Sequence, residues 1–431
     1  MENRKIRVAI TQGDTNGVGY ELIFKTFAEP EMLELCTPIV YGSPKVAAYH
    51  RKALDIQANF TIISDASEAH EGKINLLTCF DEDVKVDLGM PTPESGTAAL
   101  KALDRAMTDF RNGAFDVLVS APFDAASIHD EMFRFPSLAK YVETSVGDGR
   151  KALPIMVNDS MCVAVETEGR DIRDVACSIS QEGIEATVRQ LAESARRDFR
   201  CSNPRVSVLA LNAGADGSEE HDIIAPAVEK LADEGVVAFG PYSADDLFGT
   251  RKYEAFDMIL AMYDGQGLVP FLTLAPEEGV RFIANLPIVC AEPMSTPQYE
   301  IAGRGIADEM AFRHAVFTVI DVYRNRQSFD EPYAHPLQKL YHEKRDESDK
   351  VRFAIPKKRE SDGRQDGRPA RQGGQRDDRQ RDSRAAAGGK GAATHDDKAA
   401  AATAPDHAQT APQSAAPAAA AQETAASAPQ E

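Results

Sequence analysis

The chain has 431 residues, 43% of them apolar, enough for two domains of ordinary size with a substantial core. No apolar run approaches the roughly 18 residues needed to span a bilayer, so a membrane-spanning helix is not expected. A formal net charge of −20 repels nucleic acid, so none is expected to bind the folded part. The six scattered cysteines include no Cys-x-x-Cys, which argues against a zinc ribbon or a disulfide scaffold.

Near the N-terminus, residues 5–11 read as a buried strand with no apolar targeting region before it, so the expected location is cytoplasmic. The strand leads into Gln12-Gly13-Asp14-Thr15-Asn16-Gly17-Val18-Gly19, a glycine-rich turn opening a helix near 20–28. It is neither a P-loop nor a dinucleotide fingerprint: a third glycine would have to stand at Leu22, and no Gly-Lys-Ser/Thr follows. Asp14 and Asn16 are expected to bond the backbone locally. A second strand is predicted over 37–42, followed by a helix with Ser43 as N-cap and Pro44 at its first position. A helix over 97–111 and a strand over 116–122 come next.

The middle of the chain repeats the alternation. Strands are predicted near 152–157 and 161–166, then a helix over 180–199 starting at Ser180. Ile184, Val188, Leu191, Ala195 and Phe199 lie three or four residues apart, forming one apolar stripe on that helix. A strand over 206–211, a helix over 220–234 and a strand over 236–240 follow. Phe256 to Ala261 reads as an apolar strand running into the glycine-flanked turn Tyr263-Asp264-Gly265-Gln266-Gly267. In open α/β sheets ligands bind at such strand ends. A helix over 307–326 closes the core. Strands and helices alternating at these lengths predict a largely parallel sheet covered by helices.

Past residue 346 the composition changes. Residues 356–384 are dense in Arg, Gln, Asp and Gly, and 385–431 are mainly Ala, Pro, Gln and Thr. Too little apolar surface is available there to offset chain entropy, so 346–431 is expected to be a disordered, low-complexity tail. The basic run Pro356-Lys357-Lys358-Arg359 is read as solvated, with RNA or an acidic partner as the alternative, and the tail as a whole could carry an unidentified protein partner.

Several stretches together resemble the 4-hydroxythreonine-4-phosphate dehydrogenases of vitamin B6 synthesis. They are residues 11–19, Val119-Ser120-Ala121-Pro122, Phe239-Gly240-Pro241-Tyr242-Ser243-Ala244-Asp245, Ala261-Met262-Tyr263-Asp264-Gly265-Gln266-Gly267 and Ile301-Ala302-Gly303-Arg304-Gly305-Ile306-Ala307. The resemblance covers about residues 5–326. It implies a two-domain α/β/α fold like the isocitrate and isopropylmalate dehydrogenases. One domain is expected over residues 1–120 with 291–345, on the dimer and dinucleotide side, and the other over 121–290, on the metal and substrate side. It also implies a homodimer with active sites at the subunit interface, and NAD-dependent oxidation of a secondary alcohol followed by decarboxylation. A divalent metal on three histidines assists that reaction by stabilising alkoxide and enolate charge.

The resemblance also locates departures from the family pattern. The three metal-histidine positions fall on Gly169, Gly214 and Asp264, which leaves Asp264 as the one weak metal candidate and no expected metal site. Between His129 and His314 the chain has only His221, on a predicted helix. The family's substrate and phosphate motif falls on Ser137-Leu138-Ala139-Lys140, and its substrate lysine, asparagine and arginine fall on Leu272, Arg281 and Cys290. An Asp-His-Gly-Thr segment becomes Met294-Ser295-Thr296-Pro297. Asp245 keeps a family aspartate near the reaction centre and is the catalytic candidate, with capping of the following segment as the alternative. Glu300, Ile301, Gly303 and Asp308 lie on a stretch resembling an adenosine-binding loop and are the candidate NAD contacts, with a helix-capping turn before 307–326 as the alternative reading of Glu300. The reading that follows is a homologue that keeps the fold, the dimer and NAD binding but has lost the chemistry, and acts by binding or scaffolding. The alternatives are an active dehydrogenase with an atypical site, or one retuned to another substrate.

Overall fold

The computed structural model describes residues 4–80, 83–128 and 137–334. Twelve strands form one sheet in the order β3-β4-β2-β1-β5-β12-β11-β6-β7-β10-β8-β9. In chain order they are β1 (Ile6–Thr11), β2 (Cys36–Gly42), β3 (Phe60–Ile63), β4 (Ile74–Thr78), β5 (Val117–Ser120), β6 (Leu153–Val157), β7 (Cys162–Val165), β8 (Val206–Leu209), β9 (Ala238–Tyr242), β10 (Met258–Ala261), β11 (Val280–Ala284) and β12 (Val289–Pro293). Eight of the described pairings are parallel and three antiparallel. The antiparallel ones are β12–β11, β11–β6 and β6–β7, all in the middle. The expected largely parallel sheet is present, with a central antiparallel block that reverses strand direction between its two wings.

The helices are α1 (Gly19–Thr26), α2 (Pro30–Leu35), α3 (Pro44–Ala53), α4 (Pro93–Arg111), α5 (Leu138–Val146), α6 (Val175–Ser178), α7 (Gln181–Arg197), α8 (Ala225–Asp233), α9 (Ala244–Gly249), α10 (Asp264–Leu274) and α11 (Met310–Ala334). They cover both faces. Alternate strand residues divide between a large core (Val8, Ile10, Val206, Val208, Phe282) and smaller clusters on the opposite face (Ala9, Leu118 and Ile283; Met156, Val163 and Ile259). That alternation follows from the period of two in a strand.

Local sequence explains several helix starts. Ser180 caps α7 through the Gly183 N–H at 3.1 Å, and Ile184, Val188, Leu191 and Ala195 are fully buried, as the stripe predicts. Phe199 corrects that stripe: α7 ends at Arg197, and Phe199 lies beyond it, edge-on to Phe282 with ring centroids 5.6 Å apart. Ser43 is at the N-cap position of α3 but its side chain makes no capping bond; its own N–H donates to Gln12 and Tyr20. The helix expected from 97 starts at Pro93, because Thr92 and Ser95 form a reciprocal capping box. The helix expected from 307 starts at Met310, whose N–H bonds to Asp308 at 2.7 Å. The helix expected over 220–234 opens with a π-helical turn, Glu220–Ile224, before α8. The strand expected over 236–240 runs from Ala238 to Tyr242.

The largest local correction is at Asp264. The stretch expected as a turn is the first turn of α10. Gln266 reaches back to take the Met262 N–H at 2.8 Å and donates to the Ala210 carbonyl at 2.6 Å, tying the helix start to the ends of β10 and β8. Gly267 lets the helix pass close: a Cβ there would lie 3.0 Å from Ala261 Cβ and 3.1 Å from Val163 Cγ1. Asp14 is also less local than expected. It takes the Asn16 N–H at 2.8 Å, but also hydroxyl bonds from Ser95 and Tyr299, each at 2.9 Å. The domain boundary expected at 290/291 falls inside β12. The expected tail, 346–431, and its basic run lie outside the described residues.

Candidate active site

Strands β7, β10 and β8 are adjacent and parallel, so the turns after their carboxyl ends emerge side by side. These turns carry Gly169, Asp264 and Gly214. Pairing continues past β7: the Glu166 N–H bonds to the Ala261 carbonyl at 2.9 Å, and the Thr167 hydroxyl to the Met262 carbonyl at 2.7 Å. The Gly169 N–H then donates to Asp264 Oδ2 at 2.8 Å. The third turn is closed by Glu220, which accepts from the Asn212 N–H at 2.8 Å and the Gly217 N–H at 2.9 Å. His221 is turned to Asp216 on the surface, at 2.9 Å.

These residues do not fit a divalent metal. Gly169 and Gly214 have no ligating side chain, and a Cβ on either would meet nothing within 4 Å. Among the described residues no group of three His, Cys, Asp or Glu is placed to hold an ion. Asp264 has one oxygen on the Gly169 N–H and the other, Oδ1, buried without a partner. A single carboxylate is a poor site for a hard cation, which takes six or more oxygens.

A charged cluster stands beside these turns. Arg281 on β11 lies opposite Glu292 on β12. Its guanidinium is 3.6 Å from Glu292 through one terminal nitrogen and 3.6 Å from Glu168 through the other. Neither approach is hydrogen-bonding distance. Arg281 Nε is buried without a partner. Burial pushes the Glu292 carboxyl up to about 7, with Arg281 opposing and Glu168 reinforcing the shift. Burial also raises Glu168, against the pull of Arg281 and with the repulsion of Asp264.

Next to the cluster is a cavity of about 340 Å³ whose lining includes Ser137, Lys140, Lys151, Glu166, Glu168 and Arg170. The fold thus joins the predicted substrate stretch 137–140 to the turn after β7. Leu138 is buried and Ser137 caps α5, taking the Lys140 N–H at 3.3 Å. Lys140 pairs with Glu143. Glu166 Oε2 is buried without a partner, and desolvation raises its carboxyl despite the hydroxyl of Thr187 and the charge of Lys151. Lys151 and Arg170 are cations that sequence reasoning missed. Nothing in their local sequence marks them; only the packing of α5 and α7 around the end of β7 brings them to one cavity.

The remaining candidates are elsewhere. Leu272 packs against the cluster around Phe271, and Cys290 is fully buried, its thiol pushed well above the ordinary range by desolvation. Asp245 is exposed in the first turn of α9, its carboxyl held low by the Ser243 hydroxyl and then the Asp246 N–H. The loop between β12 and α11 carries exposed Glu300 and half-buried Ile301 and Gly303, and Asp308 caps α11. This loop is fastened to the other wing of the sheet. Lys25 bonds to the carbonyls of Gly305 and Ala307 at 3.0 and 2.6 Å, Glu21 takes the Ala307 N–H at 2.8 Å, and the Pro297 carbonyl takes the Val18 N–H at 3.1 Å.

The profile described as "Pyridoxal phosphate biosynthetic protein PdxA" matches residues 34–319. A protein of Bacteroides thetaiotaomicron named 4-hydroxythreonine-4-phosphate dehydrogenase is 48% identical over 358 residues, covering 82% of this chain and 98% of that protein. One of the same name from Geobacter metallireducens is 31% identical over 338 residues, 76% of this chain and 98% of that one. Among solved structures, a 4-hydroxythreonine-4-phosphate dehydrogenase from Burkholderia phymatum matches with TM-score 0.61 and 25% identity, over 74% of this chain and 99% of that chain. The chain belongs to the PdxA family of pyridoxal phosphate biosynthetic proteins.

Proposed function

We propose that this chain is a PdxA-family protein that keeps the family architecture, NAD binding and a homodimer while lacking metal-assisted alcohol oxidation, and that it acts by binding or scaffolding. The observation that carries this reading is the donor set at the three adjoining turns: Gly169, Gly214 and Asp264 offer one carboxylate where the chemistry calls for three imidazoles. Losing the ion removes stabilisation that exists mainly in the transition state, so turnover falls more than binding. Glu300, Ile301, Gly303 and Asp308 are the proposed NAD contacts, and Asp245 the surviving catalytic aspartate. The two-domain division at residues 120 and 290, a cytoplasmic location and a partner for the tail belong to the same reading. Among the described residues no helix is long and apolar enough to cross a membrane.

A second reading is an active 4-hydroxythreonine-4-phosphate dehydrogenase with an atypical site. It is favoured by the relative that bears that name at 48% identity over nearly its whole length. The two are separated by metal analysis of the purified full-length protein, an NAD titration, and turnover of 4-phosphohydroxythreonine. NAD binding without NADH formation supports the first reading. Stoichiometric metal with sustained NADH formation overturns it.

A further inference from the structure

The cluster beside the turns has an unusual charge arrangement. Glu168 and Glu292 flank one guanidinium, Arg281, which stands 3.6 Å from each, and Asp264 meets the same turn through the Gly169 N–H. Glu168 immediately precedes Gly169, and Asp264 is bonded to Gly169, so the group is continuous with the place where the family resemblance puts a metal ion. Carboxyl groups that are half-buried together favour a compensating positive charge.

We propose that the guanidinium of Arg281 is the resident cation of this site and takes the electrostatic place of the family's divalent metal. The proposal rests on the reading that the metal is lost, and it names what replaces it. A guanidinium carries a fixed charge and directed N–H donors, so it can orient a ligand oxygen. The buried Nε–H of Arg281 makes no hydrogen bond, and neither terminal nitrogen is within hydrogen-bonding distance of its glutamate. The head group is held by charge with donors left over. The terminal N–H groups, on a side chain that is partly exposed, suit a hydroxyl or carbonyl oxygen on a small ligand. An arginine spreads a single charge over a plane, whereas a divalent ion concentrates two, so it binds such an oxygen without equal polarisation of the alcohol. Arg281 already balances the carboxylates of the cluster, so a divalent cation would have to displace it.

The test uses Mn²⁺ alone as probe, followed by paramagnetic resonance of the full-length protein. Wild type is expected to bind Mn²⁺ at least about 10-fold more weakly than Arg281→Ala, which exposes the carboxylates to the ion. Adding Glu292→Gln to that variant removes the gain. If Arg281→Ala does not fold, Arg281→Gln is the substitute, and circular dichroism checks both. Tight Mn²⁺ binding by wild type, or no gain in a folded Arg281 variant, overturns the proposal. Turnover of 4-phosphohydroxythreonine in EDTA separates this failure from that of the functional reading. Turnover that survives EDTA but is lost in the Arg281 variant sinks the inactive reading and keeps the cation role. Turnover that requires added metal sinks both. No turnover, with Mn²⁺ affinity gained in the variant, supports both; no turnover without that gain sinks the cation role alone.

Discussion

Replacing Glu292 with glutamine should change how stability depends on pH. Glu292 has an ordinary carboxyl value of 4.5 and is raised to about 7 in the folded protein, chiefly by burial. The folded state therefore holds this proton more tightly than the unfolded state. The resulting stabilisation is complete below about 4.5, declines as pH rises, and is gone above about 7. At about 1.4 kcal/mol per unit, the shift corresponds to about 3 kcal/mol. The side chain is only 16% exposed, so solvent screens little of this, although Glu168 titrates against the same guanidinium and takes a share. Glutamine keeps the size and does not titrate. Urea unfolding of both proteins at intervals from pH 5 to 8 isolates the effect, because the other groups largely cancel in the difference. Relative to wild type, Glu292→Gln should gain about 2–3 kcal/mol between pH 5 and pH 8. A difference constant within about 0.5 kcal/mol across that range would show that Glu292 titrates normally and that the cluster is not desolvated as described.

Asp198→Asn should be among the most destabilising single changes. It strips the charge partner from Arg326, whose side chain is 6% exposed and bonded to Asp198 at 2.6 Å, and a loss of about 3–5 kcal/mol should appear in the urea midpoint. Gly96→Ala should cost at least about 2 kcal/mol in the same assay, because its Cβ would lie 2.2 Å from the Ser127 carbonyl oxygen, a backbone atom that cannot swing aside. Tyr299→Phe removes the 2.9 Å bond to Asp14 and should cost about 1 kcal/mol, with hydrogen exchange rising in residues 297–305 while β1 stays protected.

Much of the framework was legible along the chain because helices and strands reflect patterns within a few residues. The stripe Ile184, Val188, Leu191 and Ala195 marks α7, Ser180 marks its start, and the apolar run before Asp264 marks β10. Residue identity alone shows that Gly169 and Gly214 bring no ligating side chain. Less was legible where distant segments set the local geometry. Ser43 has a capping residue type, yet its side chain makes no capping bond, while Gln12 and Tyr20 hold its own N–H. Strands β3, β4, β11 and β12 were not anticipated, and two of them, β11 and β12, carry Arg281 and Glu292.

The amino-acid sequence by itself therefore determined the alternating α/β elements, the family pattern and the chemical poverty of the three ligand positions, all properties of residue type and short-range spacing. Only the tertiary structure decided what stands beside those positions. Glu168, Asp264, Arg281 and Glu292 come from a turn, a helix start and two strands, and no local preference draws them together. The order of strands in the sheet does so, and burial then turns an ordinary glutamate into one that holds its proton near neutral pH.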